Sequence, residues 1–152
     1  MNREEGITGK CLVMITDDAD RTMNTFLGIT TSLSTDEVSE EDIKQSEYIY
    51  LEGYLVASPT AFEAMKLTKQ LAEKHGVKTS ITLSDPSIVE GFKGLFHEVI
   101  GNSVDLLFCN EEEALKFTDS SNINVAREEL KKFAKRFVIT QGKNGAMIFD
   151  GD

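Results

Sequence analysis

The residues whose types and spacing could do chemistry are concentrated in Asp105-Leu106-Leu107-Phe108-Cys109-Asn110-Glu111-Glu112-Glu113-Ala114. A short apolar run, Leu106 to Cys109, reads as a strand that delivers an Asn and several carboxylates into the first turn of a helix. Two accounts fit this pattern. In one, Asn110 caps the helix through its side-chain oxygen while Glu113 reaches back to the cap, as in a capping box. In the other, Asn110 and Glu113 face the crevice at the carboxyl end of a parallel strand, where open α/β sheets place their ligands. Their carboxylate and amide would then be available to a hydrated Mg²⁺.

About thirty residues on, in keeping with one strand-helix-strand unit, comes Phe137-Val138-Ile139-Thr140-Gln141-Gly142-Lys143-Asn144-Gly145-Ala146-Met147-Ile148-Phe149. Asn144-Gly145 is a strong hairpin-turn signal. The same Gly-rich turn would let backbone N–H groups approach a nucleotide closely, because no Cβ intervenes. The spacing is not that of a Walker motif, and no Gly-x-Gly-x-x-Gly follows a strand, which argues against a P-loop or dinucleotide-binding protein.

Asn110-Glu111-Glu112-Glu113 followed by Thr140-Gln141-Gly142-Lys143-Asn144-Gly145 resembles the Asn-x-x-Glu and Thr-x-Gly-x-x-Gly pair of the ribokinase-like (PfkB-type) family of carbohydrate and nucleoside kinases. Arg21-Thr22-Met23-Asn24-Thr25-Phe26-Leu27-Gly28 and Glu52-Gly53-Tyr54-Leu55 resemble the nucleoside-kinase side of that family, closest to adenosine kinase-like members. The resemblance runs from about Gly9 to Asp150 and covers the middle of a family member.

The resemblance implies an α/β fold of ribokinase-like, Rossmann-like type: three layers, a mostly parallel sheet flanked by helices, and an antiparallel lid hairpin at the N-terminal end. It implies ATP and Mg²⁺ as cofactors and a sugar or nucleoside, adenosine-like or ribose-like, as phosphoryl acceptor. Asn110 and Glu113 would organise Mg²⁺ and its waters, Thr140, Gly142 and Gly145 would shape the nucleotide site, and Arg21 and Asn24 on the lid would lie towards the substrate. Solvent-facing turn residues look the same as Arg21 and Asn24 in sequence. Asp85 stands where the family carries an Asp-x-Asn near the phosphates, but the third place here is Ser87, so Asp85 fits either a turn-former or a functional residue. The Gly-Ala-Gly-Asp motif, whose Asp is the family's general base, is not in the sequence. The expectation is therefore a single partial domain over residues 1–152, with a lid-type hairpin at 9–30 and α/β core at 31–152, inactive by itself. The alternative is a non-catalytic nucleotide-binding module or a purely structural α/β fragment.

The elements that must position these residues alternate along the chain. Cys11 to Thr16 and Thr22 to Leu27 read as strands joined by a turn at Asp17 to Asp20. Ser39 offers a cap for a short helix containing Ile43, and Tyr48 to Leu51 is an aromatic and β-branched strand. Ser58 and Pro59 open a helix carrying Ala61, Ala64, Met65, Thr68, Leu71 and Ala72 on one face, and Gly76 closes it. Val77 to Leu83 is a strand broken by Ser84-Asp85-Pro86-Ser87. Ser87 with Glu90 predicts a capping box for a helix with Ile88, Phe92, Leu95, Phe96 and Val99 buried. A strand at 104–109, a helix after Asn110, a helix over 124–135 and two strands flanking Gln141 to Gly145 complete the pattern. Such alternation argues for a parallel sheet with helices on its faces.

Composition bounds the partners. Lys+Arg of 16 against Asp+Glu of 26 gives a net charge of -10, which repels nucleic acid and anionic membrane. Lys131, Lys132, Lys135 and Arg136 are interleaved with Leu130, Phe133 and Ala134 and read as the solvated face of a helix. Cys11 and Cys109 sit in apolar runs and read as buried free thiols of a reducing compartment, while His75 and His97 lie too far apart to suit a zinc site. No apolar run reaches ~18 residues, and no signal-peptide core follows Met1-Asn2-Arg3-Glu4-Glu5, so a cytoplasmic protein is expected. An open sheet edge and wide apolar stripes predict self-association into a homo-oligomer.

Overall fold

Strands β1 (Lys10–Ile15) and β2 (Arg21–Phe26) pair antiparallel around a turn closed by backbone bonds from Thr16 N to Asp20 O at 3.0 Å and from Ala19 N to Thr16 O at 2.8 Å. The computed structural model describes residues 5–151; Met1 to Glu4 of the polar start and Asp152 lie outside the described residues. Every residue of the two strands is exposed, including Leu12, Ile15, Met23 and Phe26, so this ribbon rests on no core of its own. Cys11, expected to be buried, is exposed for that reason, whereas Cys109 is buried, and both thiols are free.

Helix α1 (Glu40–Lys44) begins at Ser39, whose hydroxyl accepts from Asp42 N, and buries Ile43 against Ala72 and Val77. Beyond it the chain alternates: β3 (Tyr48–Leu51), α2 (Pro59–His75), β4 (Lys78–Thr82), α3 (Pro86–Ile100), β5 (Leu106–Asn110), α4 (Glu111–Phe117), α5 (Ile123–Leu130), β6 (Phe137–Thr140) and β7 (Ala146–Phe149). The five strands form one sheet in the order β3-β4-β5-β6-β7, parallel except for β7, and the hairpin is a separate sheet. The fold is α/β, a mostly parallel sheet flanked by helices.

Because the order never reverses, right-handed crossovers carry successive helices to the same face of the sheet. Burial follows this rule. Leu51, Ile81, Leu107 and Phe137 are register partners across four strands, and all are buried under the helices. The alternate residues Thr82, Phe108, Val138 and Ile148 line up on the opposite face, where Ile148 is 64% exposed, and Tyr50 beside them is 55% exposed. Phe96, Phe117 and Phe133 with His97 fill the space between α3, α4 and the segment after α5, with ring centroids 4.8 to 6.4 Å apart.

Local details depart from expectation in three places. Ser58 is the N-cap of α2 but makes no side-chain cap bond. Asp85, not Ser87, caps α3, because Pro86 takes the first helical position and Asp85 accepts from Ser87 N at 2.7 Å. Helix α5 stops at Leu130 rather than 135, since Ala134 is drawn into a parallel bridge with Val104 and cannot stay in a helical ladder. The turn between β6 and β7 spans Gln141 to Gly145, as the sequence places it. It is closed by Gln141 N to Gly145 O at 2.8 Å.

The one-sided core predicts asymmetric substitution costs. Leu107→Ala should cost ~2–5 kcal/mol by leaving a cavity, whereas Ile148→Ala on the open face should cost at most about 1 kcal/mol. Urea unfolding of the two variants checks this, and equal losses would show that the second face is also packed.

Candidate functional site

Parallel pairing brings the carboxyl ends of β3, β4, β5 and β6 to one edge, and each strand ends there in a polar turn. From β3 come Glu52 and Gly53, from β4 Ser84 and Asp85, from β5 Asn110 and Glu113, and from β6 Thr140 and the Gly142 to Gly145 turn. Asn110 and Thr140 are register partners, so the turns after β5 and β6 are neighbours, and Gln141 Nε2 donates to Glu111 Oε2 at 3.4 Å between them.

Asn110 and Glu113 form a complete capping box. Glu113 N donates to Asn110 Oδ1 at 2.8 Å, Asn110 N donates to Glu113 Oε2 at 3.0 Å, and Asn110 Nδ2 donates to Glu113 Oε1 at 2.7 Å. The capping account of the sequence is thus realised, and it leaves the other account open, since a carboxylate oxygen has lone pairs beyond the ones used. Glu113 is only 4% exposed, an unusual position for a carboxylate that has no Lys or Arg partner. Burial pushes its pKa up, and the nearby charges of Asp85 and Glu112 push the same way, against the bond from Asn110 N. Asp85 moves oppositely. The hydroxyl of Ser87 donates to it and holds its carboxyl below the ordinary range despite partial burial. Tyr54 stands beside the same carboxylates; burial raises its phenol pKa first, then the charges of Asp85, Glu113 and Glu52.

The Gly142 to Gly145 turn owes its glycines to backbone shape. Gly142 has φ 54° and Gly145 φ 91° with ψ -135°, the latter a region closed to residues with a Cβ, while the space around both is open. Within the turn Asn144 N donates to Gln141 O at 3.0 Å and Gly145 N to Gly142 O at 3.2 Å, so what the glycines offer a phosphate or ribose is close approach past a missing Cβ rather than those two N–H groups. Thr140 is exposed next to it.

The structure therefore brings Asp85, Asn110, Glu113, Thr140, Gly142 and Gly145 to one edge. Arg21 and Asn24 are exposed on β2, and among the described residues no hydrogen bond or ion pair joins either to this edge. Glu52 stands in the Glu52-Gly53-Tyr54-Leu55 stretch quoted from sequence but was given no role there, although it follows the last residue of β3 at the same edge as Asn110. Ser84 Oγ donates to Glu52 Oε1 at 2.5 Å and Tyr50 Oη donates to Glu52 Oε2 at 3.1 Å. The available signal was its place at a strand end.

Among the described residues no three His, Cys, Asp or Glu side chains converge as a metal cage. That is compatible with Mg²⁺, which keeps several waters and is bound through one or two carboxylates plus phosphate oxygens. Asp85 and Glu113 are the pair that would hold such a hydrated ion.

A family model described as pfkB family carbohydrate kinase matches residues 1–152. The chain belongs to the pfkB carbohydrate kinase family. Among solved structures of similar proteins, the adenosine kinase from Sinorhizobium meliloti superposes with a TM-score of 0.89 at 32% identity, over 95% of this chain and 44% of that one. A "probable sugar kinase protein" from Rhizobium etli CFN 42 gives 0.88 at 31% identity, over 94% and 44%. The adenosine kinase of Schizosaccharomyces pombe is 26% identical over 158 residues, 93% of this chain and 46% of the relative. The pfkB chain described here thus spans less than half the length of these relatives, and its α/β fold is theirs.

The opposed shifts at this pfkB edge give a signed pH prediction. Glu113 binds its proton more tightly when folded, so its contribution favours the folded state at low pH and is lost as pH rises through its raised folded pKa. Glu113→Gln, neutral at every pH, should become progressively less destabilising relative to wild type as pH rises from acidic to neutral. Urea midpoints across that range measure it, and a pH-independent difference would mean that Glu113 titrates as an ordinary surface carboxylate.

Proposed function

We propose that this chain is the central part of an ATP-dependent kinase that phosphorylates a hydroxyl of a sugar or nucleoside, with the Asn110 to Glu113 and Thr140 to Gly145 turns forming its phosphate edge. The observation that carries this reading is the adjacency of those turns at the carboxyl ends of neighbouring parallel strands, where open α/β sheets take their ligands. Family membership supplies the chemistry of a carbohydrate kinase. The S. meliloti and S. pombe relatives are adenosine kinases and the R. etli one is described as a "probable sugar kinase protein", so adenosine-like and ribose-like acceptors are both in view.

Phosphoryl transfer asks a protein mainly for positioning and for neutralising developing charge. Mg²⁺, when bound, supplies the positive charge. Asp85 and Glu113 would hold its waters, Asn110 would keep Glu113 oriented, and Thr140 with the backbone of Gly142 and Gly145 would seat the nucleotide. Arg21 and Asn24, on the hairpin, would lie towards the acceptor. The free thiols suit a reducing compartment such as the cytoplasm, and no helix among the described residues is long and apolar enough to cross a membrane.

ATP with Mg²⁺ should stabilise the 152-residue chain against heat, by about 2.7 kcal/mol at a hundredfold excess over Kd. It should not support phosphorylation of adenosine or ribose, since the acceptor's proton has no general base in this sequence. No thermal shift would favour a purely structural fragment, a shift without turnover in any longer form of the protein would favour a non-catalytic nucleotide-binding module, and turnover by the chain itself would refute the inactive reading.

Homo-oligomerisation belongs to the same proposal. The hairpin exposes Leu12, Val13, Met14, Ile15, Met23 and Phe26 together, an apolar ribbon of the kind that drives association. Light scattering over a concentration series should show mass above the monomer, and Leu12→Lys with Phe26→Lys should reduce it. A strictly monomeric chain at all concentrations would remove the oligomer from the proposal.

A further inference from the structure

Ser84 is the residue immediately before Asp85, and its backbone is left-handed, with φ 69°. A side-chain residue rarely rests there unless its surroundings hold it. The turn around it is tight: Ser84 N donates to Thr82 Oγ1 at 3.2 Å and Asp85 N to Leu83 O at 2.9 Å. The only bond that ties Ser84 across to another strand end, among the described residues, is from its hydroxyl to Glu52 Oε1 at 2.5 Å. Glu52 is itself anchored, since its other oxygen takes the Tyr50 hydroxyl. The next residue, Gly53, presses the β3 turn directly against β4. A Cβ there would stand 2.3 Å from Thr82 O and 2.7 Å from Ser84 Oγ, so the two strand ends touch at van der Waals limits.

We infer that Glu52 is a positioning residue of the phosphate edge: by accepting the Ser84 hydroxyl it locks the left-handed turn after β4 and thereby fixes where Asp85 stands beside Glu113. This rests on the reading of Asp85 and Glu113 as the Mg²⁺-facing pair. Asp85 can form its cap bond to Ser87 in any orientation of α3's first turn, so that bond alone does not set the carboxylate's place at the edge. The φ of Ser84 does, because it determines the direction in which the chain leaves β4. The carboxylate of Glu52 therefore acts through Ser84 and needs no contact with the ligand.

The test uses the isotopically labelled chain and four variants, Glu52→Gln, Glu52→Ala, Ser84→Ala and Ser84→Gly, each first checked for a folded amide spectrum. Two signals are read. A strong intraresidue NOE between the amide and α protons of residue 84 reports positive φ, and paramagnetic broadening of Asp85 and Glu113 resonances by Mn²⁺ alone reports the ion. Glu52→Gln keeps an acceptor oxygen and should retain both signals. Glu52→Ala and Ser84→Ala should lose the NOE and need roughly tenfold more Mn²⁺, the loss common for groups that orient a metal's ligands. Ser84→Gly, which reaches positive φ without a tether, should recover part of the Mn²⁺ response. An unchanged NOE and Mn²⁺ response in Glu52→Ala overturns the inference, as does equal loss in Glu52→Gln, which would assign the effect to charge. If Mn²⁺ broadens nothing in any variant while the NOE is still lost in Glu52→Ala, the metal reading of the pair fails and the positioning of Asp85 by Glu52 holds.

Discussion

Parallel pairing of β3 to β6 is the constraint on which the rest of this structure depends. Four strands that run the same way must be joined by three crossovers, and the crossovers leave all four carboxyl ends on one edge. Whatever residues end the strands are then neighbours, however distant in sequence. Glu52, Asp85, Asn110 and Thr140 meet by this route, and the helices that begin there present their N-terminal N–H groups to the same edge.

The electrostatics of that edge follow from burial as well as charge. The chain carries ten more acidic than basic residues, and several of its cations pair with other carboxylates: Lys116 with Glu90 and Glu112, Lys135 with Asp105, Lys74 with Glu40. Glu113 is thus left with only amide donors, and burial and Asp85 raise its pKa while a hydroxyl lowers that of Asp85. Two carboxyls with opposed tendencies, one reluctant to ionise and one readily ionised, are what the proposed Mg²⁺ site would draw on.

Much of this was legible in the sequence, and the failures have physical causes. The strands and helices of the core were readable because period-two runs and apolar stripes are set by local geometry, and Asn110 with Glu113 because a capping box spans a single turn. The cap of α3 was placed two residues late, since Pro86 decides which residue precedes the helix and a Ser-x-x-Glu pattern outside it means nothing. Helix α5 was drawn too long because the bridge between Ala134 and Val104 is a tertiary contact. Glu52, quoted in a motif, had no assigned role for the same reason: its partner Ser84 lies in the turn after another strand, and a bond across thirty-two positions leaves no local pattern. The burial of Cys11 was misjudged because an apolar alternation says that a face can be covered and not that it is.

The unreversed strand order has a consequence for how the molecule comes into being. Every strand from β4 to β7 pairs with the one made immediately before it, so no pairing within this sheet waits for a distant segment to be synthesised. Loop-closure entropy is then met in short increments, and the sheet can grow by accretion as the chain leaves the ribosome. Nascent β3 and α2 would template β4, and each later crossover would add one strand to a preformed rim. The phosphate edge would in this way be assembled turn by turn, in the order Glu52, Asp85, Asn110, Thr140.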